Sequence, residues 1–93
     1  MPMNELDQAR QSINQLNAAL VKLLEERFTA VTQVNHYKEK HHLPILDAQR
    51  ENAVLKQVEA AVADPQKAPF IAAVFQEIMH QSRAYEEALR KDE

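Results

Sequence analysis

From Asn4 to His41 the chain carries neither proline nor glycine, and its apolar side chains recur at helical spacing. Leu6, Ile13, Leu20 and Val34 share one heptad position, while Ala9, Leu16, Leu23, Ala30 and Tyr37 share another. The pattern predicts a single helix over roughly residues 4–41, ~57 Å long at about 1.5 Å per residue. A lone chain of 93 residues has no use for a rod of that length. A helix from a second chain is the expected partner.

Glycine is absent from the whole sequence, so any tight turn with positive φ falls to Asn, Asp or His, and hairpin-rich β architecture is disfavoured. Leu, Ala, Glu, Gln and Lys dominate instead, and these are helix formers. His41-His42-Leu43-Pro44 should end the first helix, because Pro44 lacks an amide proton and biases Leu43 toward extended backbone. Asp47 is placed to cap a second helix over about 48–63, with Val54, Leu55, Val58 and Val62 as its buried stripe. Asp64-Pro65 stops it. After a turn over 66–69, Ile71, Val74, Phe75, Ile78, Met79, Tyr85 and Leu89 mark a third helix over about 70–90, and the Lys91-Asp92-Glu93 tail should fray. The expectation is an all-α subunit of three helices forming one domain over 1–93.

With 45% hydrophobic and 27% charged residues the chain suits one compact domain or one subunit of a small oligomer, for which a second copy would enlarge a modest core. Cysteine is absent, which removes disulfides, thiolate nucleophiles and Cys-based zinc sites. Met1-Pro2-Met3-Asn4-Glu5 is not a basic segment leading into an apolar run, and no stretch approaches the ~20 apolar residues of a membrane span. A soluble, cytoplasmic protein is expected. The net charge of −3 and the lack of interleaved aromatics argue against nucleic acid. An anionic ligand would need a local cluster of cations working against the global charge.

Such a cluster interrupts the stripes. Arg27 takes the heptad position otherwise held by Leu6, Ile13, Leu20 and Val34, which aims a guanidinium at the bundle interior. A buried unpaired charge is costly, so Arg27 must reach solvent, a carboxylate or a ligand. Lys38 follows eleven residues later, within about 20° of the same face and ~16 Å along the axis. Near a helix C-terminus a lysine also serves simply as a dipole partner. Asp47, Arg50 and Glu51 open the second helix. Local electrostatics accounts for Asp47 as a cap, but Glu51 continues the apolar line through Leu55, Val58 and Val62 and needs a donor. On the third helix Ser82 and Glu86 lie four apart among Ile78, Met79, Tyr85 and Leu89; a serine there can be satisfied by the preceding turn's carbonyl, and Glu86 beside Glu87 could be surface charge. Arg10 precedes Arg27 by seventeen residues, ~25 Å along a rigid rod, too far for both to grip one small molecule. If Arg10 serves the same site, it arrives from the partner chain. The histidines His36, His41, His42 and His80 form no HExxH pattern, and neither a Gly-rich phosphate loop nor a nucleophile arrangement is present.

In order and spacing these residues resemble the all-helical AroQ-class chorismate mutases: Arg10 within Ala-Arg-Gln-Ser-Ile-Asn-Gln-Leu-Asn, Arg27 within Leu-Leu-Glu-Glu-Arg, Lys38, Pro44, Asp47-x-x-Arg50-Glu51 and Ser82-x-x-x-Glu86. The resemblance covers nearly the whole chain. It implies two copies intertwined through their first helices, two shared sites per dimer, and rearrangement of chorismate to prephenate with no metal and no cofactor. It further implies that Arg10 of the partner, Arg27 and Arg50 hold the two carboxylates, that Lys38 contacts the ether oxygen and a carboxylate, that Glu51 with Asp47 takes the ring hydroxyl, and that Ser82 helps a carboxylate. Many members carry Gln where this chain has Glu86. A carboxylate cannot donate to the ether oxygen, so Glu86 is expected to act protonated. Two other readings share the pattern: an isochorismate-pyruvate lyase of the same fold, whose relatives place an apolar residue where Glu51 stands, and a non-catalytic helical dimerisation or regulatory module in which the cations only form salt bridges.

Overall fold

A computed structural model describes residues 2–91. Three helices follow one another: α1 (Glu5–Lys40), α2 (Ala48–Ala61) and α3 (Ala68–Lys91). No strand occurs among the described residues, so the fold is all-α as the periodicity predicts. Asp92 and Glu93, which the fraying tail would include, lie outside the described residues; Lys91 is the last residue of α3. The chain divides into two compact units, Met1–Ala30 and Val31–Glu93.

The N-terminal unit is helical from Glu5 onward. Asn4 starts it, its Oδ1 accepting from the Asp7 amide at 2.8 Å and its carbonyl from the Gln8 amide at 3.0 Å. Glu5 and Asp7 in the first turn complement the helix dipole. None of its described residues is buried, and Leu6, Ile13, Leu16, Leu20 and Leu23 are each more than half exposed. The apolar stripe is present but uncovered.

In the C-terminal unit α2 packs against α3. Ala72 and Met79 of α3 are buried, with Val54, Leu55 and Val58 of α2 and Ile71, Phe75 and Ile78 of α3 half-buried around them. Five residues are buried in all among those described, and three of them, Asn35, Ser82 and Glu86, are polar. Polar groups in the driest positions cost stability unless each is partnered, which marks this interior as more than a packing core.

The end of α1 is a Schellman closure made without glycine. His42 adopts φ 56°, its amide donating to the Glu39 carbonyl at 3.2 Å, and the Leu43 amide donates to the Lys38 carbonyl at 2.7 Å. Histidine thus fills the left-handed position that the composition denies to glycine. Because a side chain with a Cβ is strained there, His42→Gly is expected to raise stability by about 0.5–1 kcal/mol, read as a higher denaturant midpoint at unchanged slope.

Asp47 caps α2, its Oδ1 accepting from the Arg50 amide at 3.0 Å. The helix ends at Ala61, two residues before the sequence-based boundary of about 63, where Val62 turns extended. Asp64 then organises the next turn, its side chain accepting from the Gln66 amide at 2.9 Å and its carbonyl from Lys67 at 3.0 Å. The third helix begins at Ala68 rather than about 70. Pro69 fits its first turn, where a missing N–H forfeits no intrahelical bond.

Candidate active site

Lys38 occupies the last turn of α1, and its side chain is 17% exposed. Its ammonium donates to the Ile45 carbonyl at 2.7 Å and stands 3.4 Å from Glu86 Oε1. The second contact is an ion-pair distance without hydrogen-bond alignment, and Glu86 Oε1 has no hydrogen-bond partner. An ammonium has three protons. With one engaged at Ile45, the group is oriented but not saturated.

Glu86 and Ser82 are one turn apart on the buried face of α3, which also carries Ala72 and Met79. The α3 periodicity therefore turns both inward, as their place in the apolar stripe predicts. Ser82 Oγ donates to the Ile78 carbonyl at 2.7 Å, the local satisfaction common for a helical serine. Glu86 has no such local answer, and Lys38 is the charge set against it. Glu86 is not surface charge.

Glu51, half-buried in the first turn of α2, has the donor its position demands: Arg83 Nε to Glu51 Oε2 at 2.9 Å. The pair ties α2 to α3 beside Ser82. Asp47 and Arg50 are exposed at the start of α2, linked through the cap. In the N-terminal unit Arg10 is exposed and Arg27 is half-buried. Of the eight residues singled out in the sequence, the structure puts Lys38 against Glu86 directly and sets Ser82 on the same face.

The histidines have other employment. His41 stacks on Tyr37 with ring centroids 4.1 Å apart, and His42 closes the helix. On the surface, hydrogen bonds from Gln81 and then His80 hold the Glu77 carboxyl below the usual carboxylate range. Among the described residues no group of three or more His, Cys, Asp or Glu is arranged to hold a metal. No helix among them is long and apolar enough to cross a membrane.

Four residues that matter here escape the sequence patterns: Asn35, Glu39, Arg83 and Arg90. Asn35 Nδ2 donates to Glu39 Oε1 at 3.0 Å, and Arg90 Nε donates to Asn35 Oδ1 at 2.9 Å. Glu39 and Arg90 also line an open groove of about 550 Å³ with His42, Leu43 and Pro44, which contains none of the eight candidates. Polar residues recurring at α3 spacing, Glu86 to Arg90, were the available signal, but nothing in the sequence says what lies opposite.

An inward ammonium beside a buried carboxyl group, on an all-helical frame whose second helix is capped by Asp47, can bind and polarise an oxygen-rich anion. Residues 9–87 match the family described as chorismate mutase type II. The chain belongs to that family. The match spans most of the sequence and takes in all eight candidate residues, from Arg10 to Glu86. Chorismate mutases of this type are isomerases and all-α, in keeping with the three helices. No match was found among the curated proteins.

Proposed function

We propose that the protein converts chorismate to prephenate, in the cytoplasm, on the route to phenylalanine and tyrosine, as a homodimer whose two sites each draw on both chains. The observation that carries the reading is the Lys38 ammonium, held by the Ile45 carbonyl and set beside buried Glu86, in a chain of the chorismate mutase family. The uncovered stripe of Leu6, Ile13, Leu16, Leu20 and Leu23 supports the dimer: a lone helix gains little stability in water without an apolar face to bury, and a second copy offers the same face in return.

The reaction is a [3,3] rearrangement in which a C–O bond breaks as a C–C bond forms within one molecule, with no proton transferred. Binding the substrate with its enolpyruvyl arm folded over the ring removes rotational freedom beforehand. Negative charge builds on the ether oxygen as the C–O bond breaks, so donors fixed at that oxygen stabilise the transition state more than the substrate. Lys38 supplies a cationic donor. Glu86 meets the same oxygen from α3, beside the ammonium. Arg27, Arg50 and the partner copy's Arg10 take the carboxylates, for which planar guanidinium forks suit better than ammonium. Ser82 assists one of them. Glu51, steadied by Arg83, accepts from the ring hydroxyl near Asp47.

Purified protein should remove the ultraviolet absorbance of chorismate far above the uncatalysed rate, and Arg27→Ala should abolish the gain. Isochorismate should yield no salicylate; salicylate and pyruvate as the main products would assign the lyase instead, and inertness toward both substrates would leave a helical interaction module. If Glu86 meets the ether oxygen, Glu86→Ala should lower kcat sharply, while Glu86→Gln, an amide donor of the same reach, should retain it. A Glu86→Ala variant as fast as wild type would take Glu86 off the ether oxygen.

A further inference from the structure

We propose that Asn35 and Arg90 are positioning residues that set the Lys38 ammonium against Glu86. The inference rests on the reading of Lys38 and Glu86 as the groups that meet the ether oxygen. Asn35 is the one described residue of α1 that is buried, 4% exposed, and its amide is used in both senses, donating to Glu39 and accepting from Arg90. Arg90 Nε also lies 3.4 Å from Glu39 Oε1, which closes a triangle of amide, carboxylate and guanidinium.

The triangle stands next to the proposed chemistry. Lys38 follows Asn35 by three residues on α1, and Glu86 precedes Arg90 by four on α3, so Asn35–Arg90 and Lys38–Glu86 are neighbouring crossings between the same two segments, about one helical turn apart. A lysine reaching across on a flexible four-carbon stem does not fix the distance between two helices. A buried amide gripped by planar guanidinium does, because both partners lose their directed bonds if α3 slides or rotates. Two adjacent contacts determine the register, and the stiffer one governs the looser.

Stability alone does not account for the arrangement. Arg90 Nη2 is buried without a hydrogen-bond partner, a penalty that an apolar side chain of similar size would avoid. Arg90 also lies beyond the matched segment, which ends at residue 87, whereas Asn35 and Glu39 fall within it.

The test is steady-state kinetics on chorismate for Asn35→Ala, Arg90→Ala, Arg90→Lys and Arg90→Met, with helicity and oligomeric mass checked for each. Loss of register should lower kcat by roughly 10–100-fold while KM stays within about 2-fold. The double variant Asn35→Ala with Arg90→Ala should be no worse than the poorer single one, since both remove the same bracket. Arg90→Lys should not rescue, because it restores charge without the planar fork. In a Glu86→Gln background the loss caused by Arg90→Ala should shrink, since one end of the aligned pair has changed. Arg90→Met keeps the packed stem and supplies a folded variant if alanine does not. Variants whose kcat per folded molecule stays within about 2-fold of an active wild type, or whose losses multiply regardless of Glu86→Gln, overturn this proposal alone. A wild-type protein inert toward chorismate overturns it together with the reading beneath it.

Discussion

Lys38→Ala is expected to lower kcat/KM for chorismate by about 10³-fold, equivalent to ~4 kcal/mol of transition-state stabilisation. The size follows from where the ammonium sits. It is directed by the Ile45 carbonyl at 2.7 Å, stands 3.4 Å from a carboxyl group that is nearly dry, and is itself only 17% exposed, so its field is weakly screened by water. A donor already held in place loses no freedom when charge appears on the substrate oxygen. Lys38→Arg should recover a small part of the loss, since the charge persists but the wider fork cannot occupy the same point. Lys38→Ala also releases Ile45, so a melting curve belongs beside the kinetics: a modest stability change with a collapse in kcat separates chemistry from folding. A loss smaller than tenfold would mean that the ether oxygen is served by some other group.

Equally large is the expected outcome of mixing two dead enzymes. Arg10→Ala and Lys38→Ala should each be nearly inactive as homodimers. Unfolded together in equal amounts and refolded, they should regain about a quarter of wild-type activity, because half of the dimers are mixed and each mixed dimer has one site free of both lesions. The prediction follows from the proposed dimer, the length of α1 and the ~25 Å that separates Arg10 from Arg27 along it. If Arg10 acted within its own chain, the Lys38→Ala chains would lack the ammonium, the Arg10→Ala chains would lack the guanidinium, and mixing would restore nothing. A charge placed in the exposed stripe, Leu20→Glu, should supply the complementary result, lowering the particle mass toward that of one chain and the activity with it, if the proposed dimer forms through that stripe.

How much of this was legible beforehand depends on whether a feature is local. Helix α1, its stop before Pro44, the Asp47 cap and the use of histidine at a left-handed turn all follow from short-range chemistry, and the structure has them. The third helix starts two residues ahead of its first large apolar side chain, because Pro69 in a first turn forfeits no intrahelical bond. Lys38, Glu51, Ser82 and Glu86 stood out because each is polar at an apolar position. Their opposite numbers did not. Arg83 and Arg90 sit among ordinary helical charges, and Asn35 is one residue from Val34, on a different face from the stripe that commands attention. Periodicity reveals which face of a helix is unusual, but not which two faces will meet. In α1 the conspicuous face is the exposed one, and the quiet face holds its one buried residue among those described.

The turn after α1 hangs on a single residue at two points, one on its backbone and one on its side chain. The Leu43 amide is bonded to the Lys38 carbonyl and the Ile45 carbonyl to the Lys38 ammonium, so the segment between them is suspended from the lysine as a strap is from its buckle. Any looseness introduced at His42, Leu43 or Pro44 is passed straight to the charged tip. Residues that never touch a ligand thereby govern how sharply that tip is aimed, and the exchange rate of the Leu43 amide proton becomes a gauge of it that needs no substrate at all.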